Sequence, residues 1–162
     1  MGTFSKIMAP GLRLGWIQAP DRLMETALDS GWINSGGSVN HITSHIVRHA
    51  IDMGLQESLI GQLRDRYRER VLAMDESLHE HLSQRARWVR PDGGYFFWLE
   101  MDPGINVTAL RRRAFDFGVG FQPGEVFSSS GEFRNFIRLS FAHYGEDDIR
   151  EGVSRLARLL ES

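Results

Sequence analysis

Gly2-Thr3-Phe4-Ser5-Lys6-Ile7-Met8-Ala9-Pro10-Gly11-Leu12-Arg13-Leu14-Gly15-Trp16 sets a lysine among small hydroxyl residues, then a Pro-Gly turn, then an arginine heading an alternating apolar run. An amine and a guanidinium suit opposite ends of a small pocket whose ligand carries an aldehyde at one end and a phosphate at the other. A lysine in such a pocket gives up its proton and forms a Schiff base. An arginine stays charged and grips a phosphate through two parallel hydrogen bonds. Thr3 and Ser5 add hydroxyl donors toward that phosphate. The plainer reading leaves Lys6 and Arg13 as solvated charges on an edge strand.

At these residues the sequence resembles the pyridoxal-phosphate-dependent aminotransferases of class I/II, fold type I. The family motif reads Ser/Thr-Phe-Ser-Lys, a short loop, then Pro-Gly-x-Arg-x-Gly-Trp/Tyr. The resemblance implies that Lys6 is the catalytic Schiff-base lysine, that Arg13 holds the cofactor phosphate, and that Thr3 and Ser5 help to bind it. Pyridoxal 5'-phosphate is the implied cofactor. The family carries this motif near the middle of its chain, whereas here it opens the sequence.

Bulk properties bound the rest. The chain has 162 residues, 41% hydrophobic and 25% charged, with a formal net charge of −2. That is ordinary globular composition, long enough for a real core in one domain or one and a small second. Acids and bases are interspersed, which gives no footprint for nucleic acid or membrane surfaces. No cysteine is present, so disulfides and cysteine chemistry are excluded. No run approaches the roughly 18 apolar residues of a membrane span. With no signal-peptide pattern and no myristoylation motif at Met1-Gly2, the expected compartment is the cytoplasm.

Along the chain, alternation from Leu12 to Gln18 predicts a strand with Arg13 on its polar face. Asp21 is expected to cap a short helix ending near Gly31. Ser35-Gly36-Gly37-Ser38 reads as a flexible loop; the resemblance implies that it reaches toward a neighbouring subunit's phosphate site. The next helix runs from Asn40 to just before Gly54, with Ile42, Ile46, Val47, Ala50 and Ile51 as its buried stripe. His41, His45 and His49 share one of its faces, but the surrounding pattern is not that of a metalloprotease, and no metal is expected. From Leu55 a long helix follows, with Leu59, Leu63, Tyr67, Val71, Met74, Leu78 and Leu82 at three- and four-residue steps. Its roughly 30 residues make a rod of about 45 Å, which reads as a spine between two packing units.

The C-terminal part reads as α+β. Strands are expected at Trp88-Val89, Tyr95–Met101, Val119–Phe121 and Phe136–Ala142. Asn106 is expected to cap a helix that runs toward Gly118, and a final helix begins at Glu146. Ile137, Leu139 and Phe141 face the core while Arg138 faces the other way. A guanidinium in mid-strand needs a partner, and a carboxylate is its best planar one. Either a ligand supplies it, or Glu100 or Glu125 closes a structural salt bridge. In the resembled family, the pattern Ile-Arg-Leu-Ser-Phe presents the arginine that clamps the substrate's α-carboxylate. Gly93–Trp98 and Gly118–Phe127 also look like family segments that border the substrate mouth, which implies specificity roles for Tyr95 and Phe121; as bare chemistry both read equally well as core aromatics.

The fold expected from this resemblance is an α/β remnant of the large cofactor domain (residues 1–72, with much of the connecting helix) joined to an α+β small domain (residues 73–162). A full family member is more than twice this length, and the parts the family places before the lysine are missing. Among them are the glycine-rich phosphate loop and the aspartate that protonates the ring nitrogen. The implied function is the C-terminal portion of a homodimeric aminotransferase. It would move an amino group between an aromatic, aminoadipate-like or other bulky amino acid and a 2-oxo acid. The chain alone is expected neither to hold the cofactor tightly nor to turn over. Two alternatives stand beside it: an aminotransferase-like effector-sensing domain of a bacterial winged-helix transcription regulator, and a non-catalytic α+β interaction module.

Overall fold

A computed structural model describes residues 1–35 and 40–162. Residues 36–39, most of the glycine-serine loop, lie outside the described residues. The chain divides into two compact units, Met1–Arg64 and Asp65–Ser162.

In the first unit, strand β1 (Gly2–Thr3) pairs antiparallel with β2 (Gly15–Trp16), Gly2 opposite Trp16 and Thr3 opposite Gly15. The Phe4 amide donates to the Leu14 carbonyl at 2.9 Å and carries the ladder one step further. The strand expected from Leu12 to Gln18 is therefore only two residues long. Pro10 starts a 3-10 turn over Pro10–Leu12, and Arg13 then adopts a left-handed conformation, φ 48° and ψ 38°. Proline is preorganised for a first helical position, so it diverts the chain before the alternation can act. Helix α1 spans Asp21–Leu28, with Pro20 rather than Asp21 at its N-cap. A single turn, α2 (Gly31–Asn34), and α3 (His41–Asp52) follow.

The apolar stripe of α3 is largely uncovered. Val47 is buried at 2% exposure, but Ile42, Ile46 and Ile51 are exposed. Periodicity fixes which face of a helix is apolar; it does not supply the element that covers it.

Helix α4 spans Leu55–Leu82, and its residues 55–64 belong to the first unit. Burial rises along it. Leu59 and Leu63 are half-buried, Tyr67 and Val71 pack against the core of the second unit, and Met74, Leu78 and Leu82 are inside that core.

The second unit adds β3 (Ala86–Trp88), β4 (Phe96–Met101), α5 (Val107–Ala114), β5 (Gln122–Pro123), β6 (Phe136–Ser140) and α6 (Glu146–Glu161). The strands form one antiparallel sheet in the order β3-β4-β6-β5. Alternation decides its two faces. Phe97, Leu99 and Met101 of β4 and Ile137 and Leu139 of β6 are buried in one cluster with Met74, Leu78 and Leu82 of α4 and Ile149, Val153, Leu156 and Leu159 of α6. Each such side chain contributes about 1.5–3 kcal/mol by leaving water. The other face carries Phe96, Trp98, Phe136 and Arg138. The Asn106 side chain caps α5 by accepting from the Ala109 amide at 3.1 Å. Gly118, at φ 63°, ends the 3-10 turn Phe115–Phe117 in the left-handed conformation that glycine adopts without strain. Residues 119–121, expected as a strand, form none; β5 follows directly at Gln122–Pro123, and Phe121 is buried in the core.

Candidate active site

Two clusters of the sequence-predicted residues form, one in each unit. In the first, the Thr3 hydroxyl donates to the Leu14 carbonyl at 3.3 Å and accepts from the Ser5 amide at 3.2 Å. Arg13 Nη1 donates to Ser5 Oγ at 3.4 Å and to the Pro10 carbonyl at 3.3 Å. Thr3, Ser5 and Arg13 thus share one small loop system, and Lys6 follows Ser5 on the turn that the Met8 amide closes onto the Phe4 carbonyl. Lys6 is exposed, and it is the only lysine in the sequence.

The left-handed backbone at Arg13 costs on the order of 1 kcal/mol or more for a non-glycine residue and persists only where its surroundings enforce it. Asn40 does so. Its side-chain amide donates to the carbonyls of Leu12 at 3.3 Å and Arg13 at 3.2 Å. The sequence marked Asn40 only as a helix start, and it does stand at the N-cap of α3, yet its side chain pins the arginine loop instead of capping. Two hydroxyls and a guanidinium gathered beside a lysine are the donor set a phosphate monoester takes. These residues fit pyridoxal phosphate.

In the second unit, Arg138 stands opposite Trp98 of β4 and Gln122 of β5. Neither acid considered from the sequence pairs with it. Glu125 faces Arg134 at 3.5 Å and accepts from the Thr108 hydroxyl at 2.8 Å, while Glu100 stands opposite Phe136. Among the described residues no carboxylate pairs with Arg138. Its guanidinium carbon instead lies 4.0 Å from the centre of the Phe96 ring and 4.2 Å from that of Phe127. An open hollow of about 460 Å³ is lined by Arg138, Phe96, Phe121, Gln122, Ser140 and Arg111 among others. Phe121 contributes an edge to it from the core. Tyr95 is half-buried, its ring edge-on to Tyr67 at 5.5 Å; burial first, and then Tyr67, raises its hydroxyl above the usual tyrosine range.

His41 and His45 meet edge-on at 4.6 Å, and among the described residues no three His, Cys, Asp or Glu side chains gather as a metal site. No helix among them is long and apolar enough to cross a membrane.

The pattern of the family described as aminotransferase class I and II matches residues 1–156. The chain belongs to that family. It is 34% identical over 164 residues to aromatic-amino-acid aminotransferase 1 of Thermococcus litoralis, covering 99% of this chain and 38% of that protein. The crystal structure of the α-aminoadipate aminotransferase of Thermus thermophilus, complexed with N-(5'-phosphopyridoxyl)-L-leucine, superposes with a TM-score of 0.84 at 32% identity, over 99% of this chain and 41% of that one. The fold is accordingly a part of fold type I. A helix-turn-helix transcriptional regulator of Bacillus subtilis, YdfD, is 27% identical over 161 residues, 99% of this chain and 33% of its own length. The chain thus spans well under half the length of these family relatives.

Proposed function

We propose that this chain is the C-terminal portion of a pyridoxal-phosphate-dependent aminotransferase acting on an aromatic, aminoadipate-like or other bulky amino acid and a 2-oxo acid. On this reading residues 1–72 belong to the large cofactor domain and residues 73–162 form the small domain. The observation that carries the proposal is Arg138, a mid-strand guanidinium on the open sheet face with no carboxylate partner among the described residues.

The side chains divide the work. Arg13, Thr3 and Ser5 hold the phosphate. When bound, the cofactor's pyridine ring supplies the electron sink for cleavage at the amino acid's α-carbon. With the cofactor bound, Lys6 Nζ would carry the proton from the substrate's α-carbon to the cofactor's aldehyde carbon, and Arg138 would hold the carboxylate so that the bond to be broken is aligned, an orientation effect worth several kcal/mol in typical cases. Tyr95 borders the substrate. We also infer pairing with a second copy, supported by the uncovered Ile42 and Ile46 and by Trp32, which is 82% exposed.

The test uses the chain's shortage of amines. Incubation with pyridoxal phosphate, reduction with borohydride and peptide mapping can label only Lys6 or the Met1 α-amine. The expected result is a phosphopyridoxyl group on Lys6 in preference to Met1. Equal labelling of both would overturn the assignment of Lys6.

The similarity to YdfD favours a second reading, an effector-sensing domain of a transcription regulator that uses the same residues to bind rather than to turn over. The coding sequence upstream of Met1 separates the two: a winged-helix reader there supports the regulator, and a glycine-rich phosphate loop with a ring-nitrogen aspartate supports the enzyme.

A further inference from the structure

We propose that Phe96 and Phe127 are positioning residues that hold the Arg138 guanidinium between their rings and leave its N–H edge as the place where a carboxylate docks. The proposal rests on the reading of Arg138 as the substrate clamp and specifies how that clamp is built. Arg138 and Trp98 are directly paired across β6 and β4, which puts Phe96, two residues before Trp98, on the same face and diagonal to the arginine. Phe127 arrives from the opposite side of the strand order, at the end of the 3-10 turn Gly124–Phe127 that follows β5.

Both rings lie within the distance at which a guanidinium is attracted to an aromatic face, 4.0 Å and 4.2 Å from its carbon. Phe96 makes a ring contact with Tyr95, and Phe127 makes one with Trp98, but the two phenylalanines make none with each other. They therefore flank the cation from different sides. A ring occupying a face of the guanidinium blocks approach from that direction, and the five N–H donors all lie in the guanidinium plane. Among the described residues no acceptor takes any of these donors. A planar partner entering along the edge, with two oxygens to receive two parallel N–H bonds, is a carboxylate. The flanking rings remove the rotamer freedom that a long side chain would otherwise lose on binding.

The turn that carries Phe127 is closely packed at its start. Gly124, at the start of its turn, is buried so closely that a Cβ there would lie 2.6 Å from both the Phe133 carbonyl oxygen and Phe136 Cβ.

The experiment is a titration of the 162-residue chain with 3-phenylpropionate, followed through the Arg138 side-chain Nε–H resonance, with Ile137 and Leu139 methyl signals reporting the fold. The wild-type resonance should start ring-current shifted and move on addition of the acid, and Arg138→Gln should remove that resonance and so assign it. Phe96→Leu and Phe127→Leu, which keep bulk but lose the π face, should each weaken binding about threefold and relax the initial shift. Phe96→Tyr and Phe127→Tyr should bind as the wild type does, and they decide the matter if a leucine variant loses its methyl pattern. A wild-type resonance that ignores the acid would sink the clamp reading and this proposal with it. Leucine variants that bind as well as wild type, or tyrosine variants that bind as poorly as leucine ones, would overturn the positioning role alone.

Discussion

Arg13 combines a charged side chain with a backbone conformation that a non-glycine residue adopts only under constraint, φ 48°. Its guanidinium leans on Ser5 and Pro10, and its carbonyl is held by Asn40. If the loop exists to present that guanidinium to a phosphate, Arg13→Gln should lower borohydride-trapped labelling of Lys6 by pyridoxal phosphate about tenfold, the loss of roughly 1.4 kcal/mol. Labelling by pyridoxal, which has no phosphate, should not change. Mass spectrometry of the Lys6 peptide measures both. The residue types and their spacing single out Lys6, Arg13 and Arg138 as candidates in the sequence, and the family resemblance is what attaches a role to each. Asn40 was not legible in this role, since its partners are backbone carbonyls 27 and 28 residues away. Phe96 and Phe127 were hidden for a similar reason: one lies in a strand and the other in a turn 31 residues on, and only the fold shows that both flank the arginine.

At the scale of elements, strand β6 buries Ile137 and Leu139 and turns Arg138 outward, as its alternation predicts, and the final helix buries Ile149, Val153, Leu156 and Leu159. The strand from Leu12 failed because a local turn signal, Pro10, outcompetes a short alternation. The turn Gly124–Phe127 depends on one glycine, where a Cβ would strike backbone and ring-bearing neighbours that cannot both retreat. Gly124→Ala should therefore destabilise the chain by about 1–3 kcal/mol in denaturant unfolding and relax the Arg138 ring-current shift, because Phe127 rides on that turn. Helix α6 offers a pH test. A hydrogen bond from Arg155, 2.8 Å away, holds the Glu151 carboxyl below the usual carboxylate range; desolvation opposes it, and the charges of Arg155 and Arg158 help further. A lowered carboxyl contributes stability above its unfolded value and loses it as pH falls through its folded one. In a carbon-detected titration Glu151 should have its midpoint below that of a glutamate in a model peptide, and Glu151→Gln should remove this part of the acid-limb destabilisation. Because the group is exposed, the contribution is small and should fade in high salt.

The whole molecule holds its two clusters in separate compact units, the phosphate-type donors in residues 1–64 and the arginine face in residues 65–162. Helix α4 contributes residues to both units, and its apolar stripe deepens from half-buried Leu59 to fully buried Leu82. What covers Ile42, Ile46 and Trp32 was not readable, since an exposed stripe and a covered one have the same sequence period. The proposed function requires Lys6 to be the amine that meets the cofactor, with Thr3, Ser5 and Arg13 gathered around its phosphate. The most direct measurement is a crystal structure of the chain after pyridoxal phosphate has been fixed to it with borohydride. Continuous density is expected from Lys6 Nζ to the ring, with the phosphate within hydrogen-bonding distance of Thr3, Ser5 and Arg13. A phosphopyridoxyl group attached at Lys6 whose phosphate lies in solvent, away from all three, would contradict it.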